Sequence, residues 1–262
     1  MVLLRGLLLL VIGIYLLVVM VAAFFSNQMI FHPQRAGYQD QAGILKLTST
    51  AGARVSATYL ANPEANFTVL FSHGNAEDIG DDRVLLEQIR AAGFAVFAYD
   101  YQGYGTSDGI PSERHAYDDE EAAYNVLVNT MHIPPNKIIA FGRSVGSGPA
   151  TDLASRRPVG GLILESAFTS SFRVMTRVSI LPFDRFNNLK KIRKVHCPVL
   201  IVHGTQDSVI DVSHGRKLFA AANEPKQALW VDGANHNDVA FVGGDRYSNA
   251  LKAFAVSIGH RQ

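Results

Sequence analysis

Cysteine is nearly absent from this 262-residue chain, with Cys197 standing alone. A single thiol excludes an intrachain disulfide and any cysteine-based metal cluster. Its place between His196 and Pro198, ahead of an apolar run, predicts a buried packing role. An excess of charge of either sign is also missing: 24 Lys plus Arg face 23 Asp plus Glu. That balance argues against a surface built over its whole extent for a polyanion, and no nucleic-acid partner is expected. Internal repeats are lacking, as are low-complexity tracts beyond the N-terminal apolar run.

Hydrophobic length is what the N-terminus has instead. Gly6–Phe25 reads GLLLLVIGIYLLVVMVAAFF, without one charge. At about 1.5 Å per helical residue, such a run crosses a hydrocarbon core of about 30 Å. A signal peptide is the rival reading, but its apolar core runs about 7–15 residues and ends in small residues spaced A-x-A. Here Ala22-Ala23 is followed by Phe24-Phe25, a poor cleavage site. A core helix fits poorly because no face is polar. The segment 1–27 therefore reads as a single-pass membrane anchor, followed by one domain over 28–262. Arg5 and the α-amino group before the span favour a cytoplasmic N-terminus and an extracytoplasmic domain. Residues 26–40 read as a linker; if flexible, it would span about 20 Å and keep the domain close to the bilayer.

Past the linker the hydrophobic pattern changes period. Ile44–Leu47 and Val55–Tyr59 alternate with period two, as a half-exposed hairpin does. The runs 68–71, 95–99, 138–141, 161–164 and 199–202 are nearly continuous in apolar residues, which suits parallel strands buried on both faces. Between them, Asp82–Ala92 and Asp118–Met131 carry apolar residues at helical spacing. In the second, Asp118–Glu121 is expected at the positive end of the helix dipole. Strand–helix alternation predicts an α/β fold, a mostly parallel sheet with helices on both faces, whose chemistry collects past the C-terminal strand ends.

Three such strand ends carry suggestive residues. Gly142-Arg143-Ser144-Val145-Gly146 follows the strand 138–141 and precedes a helical pattern. This is the context in which G-x-S-x-G forms a nucleophile elbow, so tight that a Cβ on either glycine would strike backbone. After 68–71, Ser72-His73-Gly74-Asn75 offers an oxyanion-binding N–H at Asn75, to act with that of Val145. Asp207 follows 199–202, and His236 follows the short strand 228–231 in a loop of small and polar residues. The chain order Ser144, Asp207, His236 is that of an α/β-hydrolase triad. His73 precedes the serine and is read as structural; Asp211 fits a turn or helix-cap role better than a catalytic one. A serine mechanism on these groups needs no metal and no organic cofactor.

Ser-His-Gly-Asn at 72–75, Tyr-Asp-Tyr-Gln-Gly-Tyr-Gly at 99–105, Gly-Arg-Ser-Val-Gly at 142–146, His-Gly-Thr-Gln-Asp at 203–207 and Gly-Ala-Asn-His-Asn-Asp at 233–238 carry a resemblance. The chain resembles the abhydrolase-domain group of α/β hydrolases, which includes protein depalmitoylases and membrane-anchored bacterial relatives. The resemblance implies the same triad, the same oxyanion donors, and hydrolysis of acyl esters or thioesters. Tyr99–Gly105 is implied to be a framework loop.

Between Glu165 and Val195 there is only a short excursion rather than a cap domain. Its apolar residues, Phe172 and Met175 among them, read either as a helix packed on the core or as a lid over acyl chains. The expected partner is an acyl ester or thioester, lipid-borne if the anchor holds the domain at a membrane. Two alternatives stand: a serine peptidase on the same triad, disfavoured by the missing substrate-sorting domain, and a non-catalytic binding protein, disfavoured by the intact triad.

Overall fold

The apolar runs become the centre of an eight-stranded sheet in a computed structural model that describes residues 2–50, 52–176 and 181–259. The strands are β1 Ile44–Thr48, β2 Arg54–Leu60, β3 Thr68–Ser72, β4 Ala95–Tyr99, β5 Ile138–Arg143, β6 Gly161–Glu165, β7 Val199–Gly204 and β8 Lys226–Val231. Their order in space is β1-β2-β4-β3-β5-β6-β7-β8. The β1–β2 hairpin, with Ile44 opposite Thr58, and the β2–β4 pair are antiparallel. All later pairs are parallel.

Alternate residues of each central strand enter different cores. Leu70, Ala140, Leu162 and Ile201 pack on one face, with helices α3 Glu113–Asn125, α4 Ser147–Arg156 and α7 Ser213–Ala221. Val69, Phe141, Ile163 and Val202 pack on the other, with α2 Arg83–Ala91 and α8 Val239–Gly259. Two buried faces require apolar residues at successive positions, which is why these strands read as runs. Between β6 and β7 lie the short helices α5 Ser171–Thr176 and α6 Asn188–Lys191. Cys197 is half-buried against the first core, and burial pushes its thiol up to about 12.

One helix differs from its expected span. α3 starts at Glu113, where the Ser112 hydroxyl accepts the His115 N–H as an N-cap. Asp118–Glu121 thus lies in mid-helix, away from the dipole's positive end, and Asp119, Glu120 and Glu121 are buried. Asp119 accepts hydrogen bonds from the Gln102 N–H and Nε2, while Glu121 pairs with Arg156 and Arg157. Asp119 and Glu121 serve tertiary pairing rather than the helix terminus.

The N-terminal helix α1, Val2–Ile30, also departs from expectation. Over Leu3–Ile30 it is long and apolar enough to cross a membrane, a criterion that a signal sequence also meets. It does not give way to a linker at residue 26. The helix continues to Ile30, and Phe31 enters the core edge-on to Tyr104 and Phe186, at ring distances of 6.4 and 5.9 Å. Along its last turns Val19, Ala22, Ser26 and Ile30 form a covered stripe at helical spacing. Arg185 Nε donates to Ser26 Oγ at 3.1 Å, Asn75 Nδ2 to the Ile30 carbonyl at 2.8 Å, and the His32 N–H to Asn75 Oδ1 at 2.9 Å. The junction is a latch built of core packing and hydrogen bonds.

Phe31→Ala removes a ring that is 4 % exposed. It should cost about 3–5 kcal/mol, read as a lower denaturant midpoint of the full chain in detergent. A change below about 1 kcal/mol would show that the junction is not part of the core.

Candidate active site

The turn after β5 holds Ser144 at φ 51°, in the left-handed region. A non-glycine residue there costs about 1–3 kcal/mol, tolerated only when its surroundings leave no alternative. They leave none. A Cβ on Gly142 would lie 2.3 Å from the Gly146 carbonyl oxygen, and one on Gly146 would lie 2.0 Å from that of Ser72. Ser144–Gly146 forms one tight turn that runs directly into α4. The elbow expected from the pentapeptide is thus present in its geometry.

Loops after β7 and β8 converge on it. His236 Nε2 lies 2.9 Å from Ser144 Oγ, and His236 Nδ1 lies 2.8 Å from Asp207 Oδ2. An ionised carboxylate only accepts, so Nδ1 carries the proton and Nε2 is left to accept from the serine hydroxyl. Burial opposes the charge on Asp207, but hydrogen bonds from His203 and His236, joined by the Ile210 N–H, hold its carboxyl well below the usual range. Its Oδ1 accepts the N–H groups of Val209 and Ile210 at 2.9 and 2.7 Å. The two loops are also tied to each other. Asn235 Oδ1 accepts the N–H groups of Ser208 and His236 at 2.9 and 2.8 Å. Asp211 instead accepts the Ser213 N–H at the start of α7, as a turn aspartate does. His73 is buried beside Asp100, its Nδ1 at 2.7 Å from the Gly74 carbonyl.

Gly74, Asn75 and Val145 line a cavity beside Ser144 and His236. A Cβ at Gly74 would sit 3.4 Å from that of Ser144, so the loop after β3 passes close to the serine. That loop is closed by Glu77, whose Oε1 accepts the Gly74 N–H at 2.6 Å. Tyr104 from the 99–105 loop donates its hydroxyl to Asn75 Oδ1 at 2.7 Å. The framework loop thus buttresses the candidate oxyanion-binding loop.

The cavity measures about 410 Å³. Phe168, Phe172 and Val174 line it, so this segment both packs on the core and borders the site. α5 carries Met175, but its side chain and residues 177–180 lie outside the described residues. Further lining residues, Val209 and Ile210 after β7 and Met29 and Ile30 of α1, were not among the expected site residues. Among the described residues, no group of three or more His, Cys, Asp or Glu is arranged to hold a metal ion.

Arg143 and its partners were also missed. The guanidinium directly before Ser144 is 7 % exposed. It donates to both Glu77 oxygens at 2.8 and 2.7 Å, to Asp82 Oδ1 at 3.0 Å and to Asn237 Oδ1 at 3.2 Å. Its Nε lies 3.5 Å from Glu165 Oε1. One signal was available: a charge at the end of a doubly buried strand must find an opposite charge.

The comparisons agree with the fold. Residues 63–181 match a family model described as Hydrolase_4, serine aminopeptidase S33. The Pyrococcus furiosus esterase Pf2001 shares the fold, with a TM-score of 0.73 over 86 % of this chain and 98 % of the other, at 17 % identity. The esterase RhEst1 from Rhodococcus sp. ECU1013 does so with a TM-score of 0.67 over 82 % and 99 %, at 21 % identity. The class is therefore that of serine hydrolases with the α/β-hydrolase fold. Within it the chain belongs to the alpha/beta hydrolase domain-containing protein 17 family. It is 42 % identical to protein 17B of Homo sapiens over 211 residues, which cover 79 % of this chain and 72 % of the human one.

Three carboxylates around one guanidinium leave surplus negative charge. Burial first, then the Glu77 charge, pushes the Asp82 carboxyl up to about 8. Its unfolded value is about 3.9, so the native state holds an extra proton between about pH 4 and pH 8. Stability falls as pH rises through that window. Asp82→Asn should lose less stability between pH 5 and pH 8 than the parent, measured by denaturant unfolding. Parallel profiles would count against a raised Asp82.

Proposed function

We propose that the chain is a membrane-anchored hydrolase of acyl esters or thioesters in which Ser144 is the nucleophile. The observation that carries this reading is the unbroken hydrogen-bond chain Asp207–His236–Ser144 at the wall of a cavity lined in part by Phe168, Phe172, Val174 and Ile210. Ser144 Oγ attacks the acyl carbonyl carbon as His236 Nε2 takes its proton. Backbone N–H groups of Asn75 and Val145 stabilise the oxyanion. The intermediate collapses to an acyl-serine, and the alcohol or thiol leaves with the proton from His236. A water molecule, deprotonated by His236, then attacks the acyl-serine and releases the carboxylic acid. Asp207 stays ionised throughout, fixing the tautomer of His236 and stabilising its imidazolium.

In this reading residues 1–27 are the anchor and residues 28–262 the catalytic domain, and Arg5 ahead of the span favours an extracytoplasmic domain. Phe172 and Met175 contribute to acyl binding. Support for the chemistry comes from two solved structures of this fold, Pf2001 and RhEst1, which are esterases. A peptidase reading draws on the family description, serine aminopeptidase. It is disfavoured by the short 165–195 excursion, which lacks a substrate-sorting domain.

A fluorophosphonate probe should label the purified chain and not Ser144→Ala. Turnover of p-nitrophenyl butyrate should fall at least about a thousandfold in Ser144→Ala and in His236→Ala. Asp207→Asn should be impaired to a similar degree, whereas Asp211→Asn should keep most activity. Equal labelling of Ser144→Ala would sink the assignment, and faster cleavage of aminoacyl amides than of esters would favour the peptidase.

The anchor has its own test. The full chain should stay with membranes through a carbonate wash, and protease outside spheroplasts should digest the catalytic domain. Release by carbonate, or a mature N-terminus near residue 24, would replace the anchor with a cleaved signal. Protection of the domain from protease would reverse the orientation.

A further inference from the structure

We propose that the last turn of α1 is part of the acyl-binding site, and that Met29 selects which acyl chains it accepts. The inference rests on the reading of Ser144 as nucleophile and extends it to substrate selection. Met29 and Ile30 line the same cavity as Ser144 and His236. A helix that only tethered its domain would have no reason to reach the reacting serine. This one is held there from two sides. The Ile30 carbonyl accepts Asn75 Nδ2 at 2.8 Å, and Ser26 Oγ accepts Arg185 Nε at 3.1 Å. Asn75 also belongs to the candidate oxyanion-binding loop, so the end of α1 and that loop keep a fixed relation.

The side chains show what the wall is for. Ile30 is half-buried and packs on the core, which fixes its position. Met29 is 42 % exposed, with one side toward the cavity and another outside. An unbranched thioether adapts to apolar chains of differing shape. Val18, Val21, Phe25 and Met29 follow one another at spacings of three and four residues, so they share a face of the helix. All four are exposed. An apolar track thus runs along the exposed side of α1 and ends at the cavity wall. Its occupant is the acyl chain of a lipid-borne ester or thioester, drawn along α1 from the bilayer leaflet next to the domain. Val209, on the cavity's other wall and 57 % exposed, extends the apolar lining toward the outside. Each methylene moved from water onto such a surface gains about 0.8 kcal/mol, close to a fourfold preference.

The test uses the full chain in detergent micelles, with p-nitrophenyl acetate and p-nitrophenyl octanoate as probes. The parent should prefer octanoate in kcat/KM. Met29→Trp, which fills the wall, should lower the octanoate-to-acetate ratio at least about tenfold. Met29→Ala should lower it about threefold, mainly through KM for octanoate, and Met29→Leu should restore most of it. Phe24→Ala, a change at a position that does not line the cavity, should leave the ratio unchanged. A second measurement maps the contact directly. A long-chain alkyl fluorophosphonate bearing a mid-chain diazirine reacts so that a Ser144 Oγ–P bond forms, the P–F bond breaks and fluoride leaves. On illumination the chain should cross-link to the peptide holding Met29 and Ile30. An unchanged ratio in both Met29→Trp and Met29→Ala, or cross-links that never reach α1, would overturn this proposal and leave the nucleophile in place. Failure of the parent to hydrolyse either ester or to react with the probe would overturn the hydrolase reading itself, and this proposal with it.

Discussion

The buried guanidinium of Arg143 is the interaction on which the rest of the site depends. It leaves the end of β5 one residue before Ser144 and meets groups from four other strand ends or helix starts. Through Glu77 it closes the loop after β3, through Asp82 it holds the start of α2, through Glu165 the end of β6, and through Asn237 the residue next to His236. A planar fork with five donors can satisfy partners in several directions at once; a lysine ammonium offers three donors from one point. Burying such charges is expensive, and the attraction repays the cost only while every partner remains. Loss of the cation alone would leave three carboxylates crowded in the interior, a change of about 3–5 kcal/mol by comparison with other broken buried pairs. The elbow, the loop after β3 and the loop of His236 are therefore tied together through one side chain.

Two aspartates near this centre have opposite fates for reasons visible in their surroundings. Asp207 accepts two backbone N–H groups and faces two imidazoles, so its anion is preferred despite burial. Asp82 shares a single guanidinium with two other carboxylates, and burial drives it toward the neutral acid. The donors around Asp207 keep it ionised, as an acid that orients a histidine would need to be. His203 belongs to this arrangement: its Nε2 lies 2.8 Å from the Ile210 carbonyl and 3.2 Å from Asp207 Oδ2.

How far the sequence could be read follows from where each piece of information lies. Runs such as Val199–Val202 and Ile138–Phe141 announce strands because both faces are buried, so local composition carries the tertiary fact. Ser144, Asp207 and His236 were legible because each follows its own strand, and strand ends converge in a parallel sheet. The start of α3 was misread because its first turn, Glu113-Arg114-His115, is wholly polar and shows no hydrophobic period. The acids at 118–121 imitated an N-terminal signal, while the partners of Asp119 and Glu121 lay on other elements, Gln102 and Arg156–Arg157. Arg143 occupies a variable position of its motif, and its partner Glu77 is 66 residues away. The α1 latch was the least legible feature. Asn75 meets Ile30 across 45 positions and Arg185 meets Ser26 across 159, separations at which no window of hydrophobicity speaks.

The covered stripe Val19, Ala22, Ser26 and Ile30 has a consequence for how this segment tolerates change. Each residue added to a helix turns everything beyond it by about 100° and moves it by about 1.5 Å. One residue inserted between Ala22 and Ser26 would keep every apolar side chain yet carry Ala22 off the face that Ser26 and Ile30 present. Residues 3–18 of the helix are all exposed and form no such stripe. Downstream of Val19, the number of residues is constrained more tightly than their identity. The N-terminal helix is in this sense phased against the domain it enters, and its register sets which side chains meet the cavity wall.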